Sequence, residues 1–114
     1  MAKPELEFHD SDFIPWKPVA GEVGGVYEKI LSYDPEDGSK TRLLKSEPGV
    51  VKTKVLVHDY WEEAIVLEGT TTDMTLGKTF SKGYYVCRPP GMKHGPFKTD
   101  TGSLLFEIHT YKKK

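Results

Sequence analysis

In the stretch Gly83-Tyr84-Tyr85-Val86-Cys87-Arg88-Pro89-Pro90-Gly91-Met92-Lys93-His94, a short run of strand-forming residues meets a rigid bend and ends on a histidine. Residues 84–88 read as a strand. The two prolines, each with φ fixed, and the glycine after them turn the chain sharply, so His94 is carried back toward whatever the strand encloses. The same rhythm extends outward in both directions. Gly and Pro recur at intervals of roughly 8 to 12 residues, and no segment sustains the i, i+3, i+4, i+7 apolar pattern of an amphipathic helix. Upstream, Asp34-Pro35-Glu36-Asp37-Gly38 is a turn between strands at 26–33 and 41–46. Further strands are expected at 51–58, 64–67 (ending at Glu68-Gly69), 71–76, 78–80 and 103–111. About eight short strands of this kind predict an all-β fold, a small antiparallel β-barrel or double-stranded jelly roll with room inside for a ligand or a metal. Residues 1–18, with three prolines and mixed charge, read as an N-terminal arm that lays Phe13, Ile14 and Trp16 on the body. Residues 19–114 read as the single barrel domain.

Composition sets the outer bounds. A chain of 114 residues supplies one core, and 37% hydrophobic residues is a globular composition. Lys and Arg number 16 against 17 Asp and Glu, and the basic residues are scattered apart from the last three lysines, which argues against nucleic acid as a partner. No apolar run is long enough for a signal peptide or a membrane span, so a soluble, cytoplasmic protein is expected. Cys87 has no second cysteine to pair with, so neither a disulfide nor a cysteine zinc site staples the fold.

Four histidines are present, at positions 9, 58, 94 and 109. His58 and Glu62 stand four residues apart at a strand end, where a tight turn can aim both at one point. With His94 they make two imidazole nitrogens and one carboxylate oxygen. That set leaves coordination positions open and is typical of non-haem Fe(II), while Zn, Mn and Ni occupy similar sites. His109 shares a strand face with Leu105 and Glu107 and is a candidate additional ligand if that face points inward; if Leu104, Phe106 and Ile108 fill the core instead, His109 meets solvent. Tyr60 can offer a phenol near such an ion or form part of the rim, and Arg88 can grip a substrate oxyanion or pair with a surface acid.

The segment 83–94 resembles the second motif of the cupin superfamily, G-x5-P-x-G-x2-H-x3-N, matching at Gly83, Pro89, Gly91 and His94, with Lys98 where Asn is usual. His58, Glu62 and Gly69 match the second half of the first motif, G-x5-H-x-H-x3,4-E-x6-G; Leu56 stands where its first histidine falls, and Gly49 lies one residue too far from His58. The string 61–69 followed by Asp73 is similar to small single-domain cupins of the ChrR-like and acetylacetone dioxygenase-like group. The resemblance implies a conical barrel holding one divalent metal, iron first and Zn, Mn or Ni as alternatives. It also implies a homodimer and a small-molecule substrate. It favours dioxygenase chemistry on a small oxygenated organic molecule at a mononuclear non-haem site. A metal-assisted isomerase, lyase or hydrolase of a carbonyl compound, and a ligand-sensing or metal-sensing cupin, stay open as alternatives.

Overall fold

A computed structural model describes residues 3–111, and it consists almost entirely of strands and their connections. A single 3-10 turn, Ser11–Phe13, precedes β1 (Lys17–Pro18), β2 (Val26–Tyr33), β3 (Lys40–Ser46), β4 (Trp61–Asp73), β5 (Lys78–Ser81), β6 (Tyr85–Arg88), β7 (Phe97–Lys98) and β8 (Ser103–Thr110). Every pairing is antiparallel, in the order β1-β2-β3-β8-β4-β5, with β6 and β7 also joined to β4. Among the described residues no helix is long and apolar enough to cross a membrane.

β4 belongs to two sheets at once. Its first half pairs with β8 and β6, and its last residues pair with β5 and β7, so the two sheets curve around one interior. The ladder is not closed by hydrogen bonds, and the result is an open, jelly-roll barrel. The expectation of two separate strands at 64–67 and 71–76 is corrected: the chain runs through Glu68-Gly69 without stopping. Gly69 acts as a bend inside a strand. Its φ is +74°, the register against β8 shifts between Val66 and Glu68, and the Gly102 carbonyl lies where any Cβ would sit.

The strand expected at 51–58 is also corrected. That segment makes only two isolated bridges, Val51 with Lys98 and Leu56 with His94. Its facing segment contains Pro96, which has no N–H to give, so a continuous ladder cannot form there. The arm behaves as expected only in part. Ile14 and Trp16 are half-buried, with the Trp16 ring beneath the ammonium groups of Lys29 (4.8 Å) and Lys45 (4.6 Å). Phe13 is 87% exposed, because the Asp10 carboxylate caps the N–H of Asp12 and the 3-10 turn faces Phe13 outward.

Alternation along the central strands sorts the two faces. Glu62, Ala64 and Val66 of β4 are buried, as are Glu107 and His109 of β8. The apolar core is small, with Val26, Leu44 and Val50 in contact and Val19 and Leu105 packed against them. It fills one end of the barrel. The opposite end is occupied by buried ionisable groups, which a fold retains only where they are paired or serve a ligand.

Candidate metal centre

Sheet register assembles this polar end. Glu62 on β4 lies directly opposite His109 on β8 and Arg88 on β6, so three polar side chains stand in one row on the inner face. His58 reaches the same place from the loop before β4, and His94 from the loop before β7. Two backbone links hold these loops together. The N–H of Gly91 donates to the carbonyl of His58 (2.8 Å), and Leu56 and His94 exchange N–H···O bonds of 2.7 and 2.9 Å. Gly91 makes the turn possible with φ +84°, a conformation that side-chain-bearing residues rarely adopt. The imidazoles of His58 and His94 end up 4.9 Å apart between centroids, at 61°.

Glu62 is the hub. Its Oε1 lies 3.5 Å from His94 Nε2, 3.9 Å from His58 Nε2 and 3.3 Å from Arg88 Nη1, and its Oε2 lies 3.8 Å from His109 Nε2. Ligand atoms of His58, Glu62 and His94 all fall within 4.8 Å of one another. His94 Nδ1 lies 3.2 Å from the carbonyl of Met92, which can only accept, so Nδ1 carries the hydrogen and Nε2 presents a lone pair. That Nε2 is buried and has no hydrogen-bond partner. Burial, and then the Arg88 guanidinium, push the His94 pKa down to about 4 despite the Met92 carbonyl, so the ring is neutral at ordinary pH. Burial and the neighbouring His109 likewise lower His58. Burial, followed by Glu107, raises Glu62 in spite of Arg88, His109 and Arg42. A carboxylate short of positive charge beside two unprotonated imidazoles, one with an orphaned nitrogen, fits a divalent cation.

A second cluster, Glu62, Glu107 and His109, is equally tight but already occupied by its own bonds. Glu107 accepts from Arg42 Nε (2.9 Å) and lies 3.0 Å from His109 Nε2, while Arg42 Nη1 donates to Glu28 at 2.7 Å. Burial alone would raise the Glu107 pKa, but Arg42 and His109 outweigh it and hold it at about 2. His109 is therefore inside, 2% exposed, on the inward of the two alternatives for β8. The Glu28–Arg42–Glu107 chain is absent from the sequence reading. Its only advance signal was the alternation that put Glu107 on the His109 face.

Arg88 is in the interior, with its guanidinium 5.3 Å from the Phe97 ring and its Nε buried without a partner. Tyr60 takes an unexpected place. Its ring is stacked between His58 (4.5 Å, 10°) and His109 (4.4 Å, 20°), and it borders a separate shallow recess with Val57, Asp59, Pro90 and Gly91. Burial and Glu62 raise its phenol pKa, so it stays protonated. The main cavity, about 600 Å³, takes in His58, Glu62, Arg88 and His94 at its polar end, and Leu56 is part of its wall.

A family model described as the ChrR cupin-like domain matches residues 5–112. Among solved structures, a protein of Methylibium petroleiphilum PM1, provisionally named an acetylacetone dioxygenase, superposes with a TM-score of 0.78 at 22% identity, over 96% of this chain and 79% of its own. The acetylacetone dioxygenase of Acinetobacter johnsonii gives 0.72 at 18% identity, over 96% and 74%. The polyketide cyclase RemF of Streptomyces resistomycificus gives 0.75 at 18%, over 95% and 81%. At these identities the likeness is one of fold. No curated protein matches the chain. With nearly its whole length covered by the family model, on a barrel whose polar end gathers both motif histidines and Glu62, the chain belongs to the ChrR cupin-like family.

Proposed function

We propose that this cupin is a mononuclear metal enzyme, with iron as its metal, that carries out dioxygenase-type chemistry on a small oxygenated organic substrate. One observation supports it above the others: the buried, unpartnered Nε2 of His94 faces the Glu62 carboxylate and the His58 ring. His58, Glu62 and His94 would hold the ion. The metal, when bound, would polarise a chelating enol or hydroxy-ketone and offer open positions to dioxygen or water. The names of two fold neighbours, both acetylacetone dioxygenases in words, lean the same way without deciding the substrate.

The chain's own residues take distinct parts. Arg88, a catalytic residue in this reading, steadies negative charge that develops on the substrate oxygen, its guanidinium being fixed against Phe97 and Glu62. Tyr60 is a positioning residue that keeps the rings of His58 and His109 parallel. His109 sets the orientation of the Glu62 and Glu107 carboxylates, and it is the nearest imidazole to stand in for the histidine missing at Leu56. In the same reading residues 1–18 are an arm on a single barrel domain of 19–114. Two copies pair through that arm, whose Leu6, Phe8 and Phe13 are exposed.

Metal analysis of the purified protein is the test. About one divalent ion per chain is expected, and His94→Ala should lower its affinity at least roughly a hundredfold, since two donors do not replace three. Uptake of none of Fe, Mn, Ni, Zn or Cu overturns the proposal. Oxygen consumption with 2,4-pentanedione then separates the dioxygenase from a metal-assisted isomerase, lyase or hydrolase, which would turn over a carbonyl compound without it.

A further inference from the structure

The cavity is larger and greasier than the metal site needs. Leu44, Val50, Val66, Phe97 and Leu105 line it together with the ion-binding residues, and further lining residues reach the surface. Five large hydrophobic residues of that wall are also open to solvent: Val55 (55% exposed), Leu76 (63%), Tyr84 (56%), Tyr85 (58%) and Met92 (45%). Phe80 stands behind Tyr84 with ring centroids 5.5 Å apart. Buried and solvent-open apolar side chains thus share one cavity with the ion-binding residues, and its opening carries a cluster of large hydrophobic groups rather than scattered single ones. Of the three lysines that line the cavity, Lys52 faces Glu22 at 3.9 Å and Lys98 faces Asp100 at 3.2 Å, which leaves Lys93 as the one without an acid partner among the described residues.

Volume argues in the same direction. A diketone of roughly seven non-hydrogen atoms, at under ~30 Å³ per atom, fills no more than about a third of such a cavity. The remainder would hold water against aliphatic and aromatic walls, an arrangement that favours its displacement by hydrocarbon.

The geometry points to a substrate with a chelating pair of oxygens at one end and an extended apolar tail, the tail lying along Leu44, Val66 and Leu105 and leaving between Val55, Leu76, Tyr84 and Met92. The head group rests on the metal reading above; the tail rests on the cavity alone. A homologous series of 2,4-diketones, from 2,4-pentanedione to 2,4-undecanedione, separates the two by calorimetry with and without added Zn²⁺. Affinity should rise about three- to fourfold per methylene in both conditions, the transfer free energy of a buried CH₂. Zn²⁺ should improve every homologue by one common factor. A flat series overturns the tail, whereas a rising series that Zn²⁺ leaves unchanged keeps the tail and overturns the metal-bound head.

Two surface variants locate the exit. Leu76→Glu and Val55→Glu, each at a position already open to water, should cut the ratio of affinities between the longest and shortest homologue by at least about tenfold. If both leave the ratio unchanged, the assignment fails, and a changed sedimentation mass alongside that result would show that the rim contacts a second copy of the chain instead.

Discussion

Glu62 and Glu107 sit two residues apart across the β4–β8 ladder, equally buried, and chemistry treats them in opposite ways. Glu107 has a guanidinium at 2.9 Å and an imidazole at 3.0 Å, and its pKa falls to about 2. Glu62 has one guanidinium at 3.3 Å, three imidazoles between 3.5 and 3.9 Å, and a pKa raised above the ordinary carboxylate value. The first is a completed ion pair that holds β3 to β8. The second has a longer guanidinium contact that does not offset its burial and the nearby Glu107 charge. Burial by itself therefore says little about role; the two carboxylates differ in whether the surrounding positive charge outweighs their desolvation.

The contrast can be broken from the Glu107 side. Glu107→Gln strands Arg42 between Glu28 and a neutral amide, and global stability should fall by about 3 kcal/mol in a denaturant titration, with much less change in metal affinity. A folded pKa of about 2 against an ordinary 4.5 means that the stabilisation is fully present above pH 4.5 and is lost as the pH drops from there toward 2. The variant should lack that acid-sensitive step, and an unchanged acid profile would show that Glu107 is not the group responsible.

A smaller effect comes from answering Glu62's side with another donor. Leu56 is bonded through its backbone to His94 and forms part of the cavity wall, so Leu56→His places a third neutral imidazole beside the centre. Metal affinity should rise at least roughly tenfold while turnover declines, because a further ligand occupies a position that substrate or dioxygen needs. Loss of metal would mean that residue 56 does not face the ion.

The smallest is in the metal-free protein. Glu62→Gln removes a charge whose burial outweighs its contact with Arg88, and stability at neutral pH should rise by about 1 kcal/mol even as metal binding disappears. Since a raised carboxyl is relieved by protonation, this gain over wild type should shrink as the pH is lowered, whereas what shrinks for Glu107→Gln is a deficit. A stability loss at pH 7 would show that the Arg88–Glu62 pair outweighs the burial.

What the sequence made legible was local. His58 and Glu62 are four residues apart, and His94 hangs on its own Pro-Pro-Gly bend, so spacing and turn chemistry were enough to select three residues that the fold brings together. Strand punctuation identified β2 and β3 within a residue. The strand period left the facing of β8 undecided, and only its register between β3 and β4 turns Glu107 and His109 inward. Arg42 and Glu107 are 65 positions apart, a separation no short motif spans. Gly69 misled for a physical reason: a glycine that allows a strand to bend and one that ends a strand look alike until the Gly102 carbonyl is seen against it.

β8 is the last of the eight strands along the chain, yet it lies in the middle of the sheet, between β3 and β4. While the chain is being made, β2 and β3 can pair as soon as they emerge, but the seam between β3 and β4 stays open until residues 103–110 leave the ribosome. Until then Arg42 faces only Glu28, and Glu62 has no imidazole across the ladder. The seam is thus closed by insertion of a strand that follows both of its neighbours in the chain, and until then β3 and β4 each carry an unpaired edge.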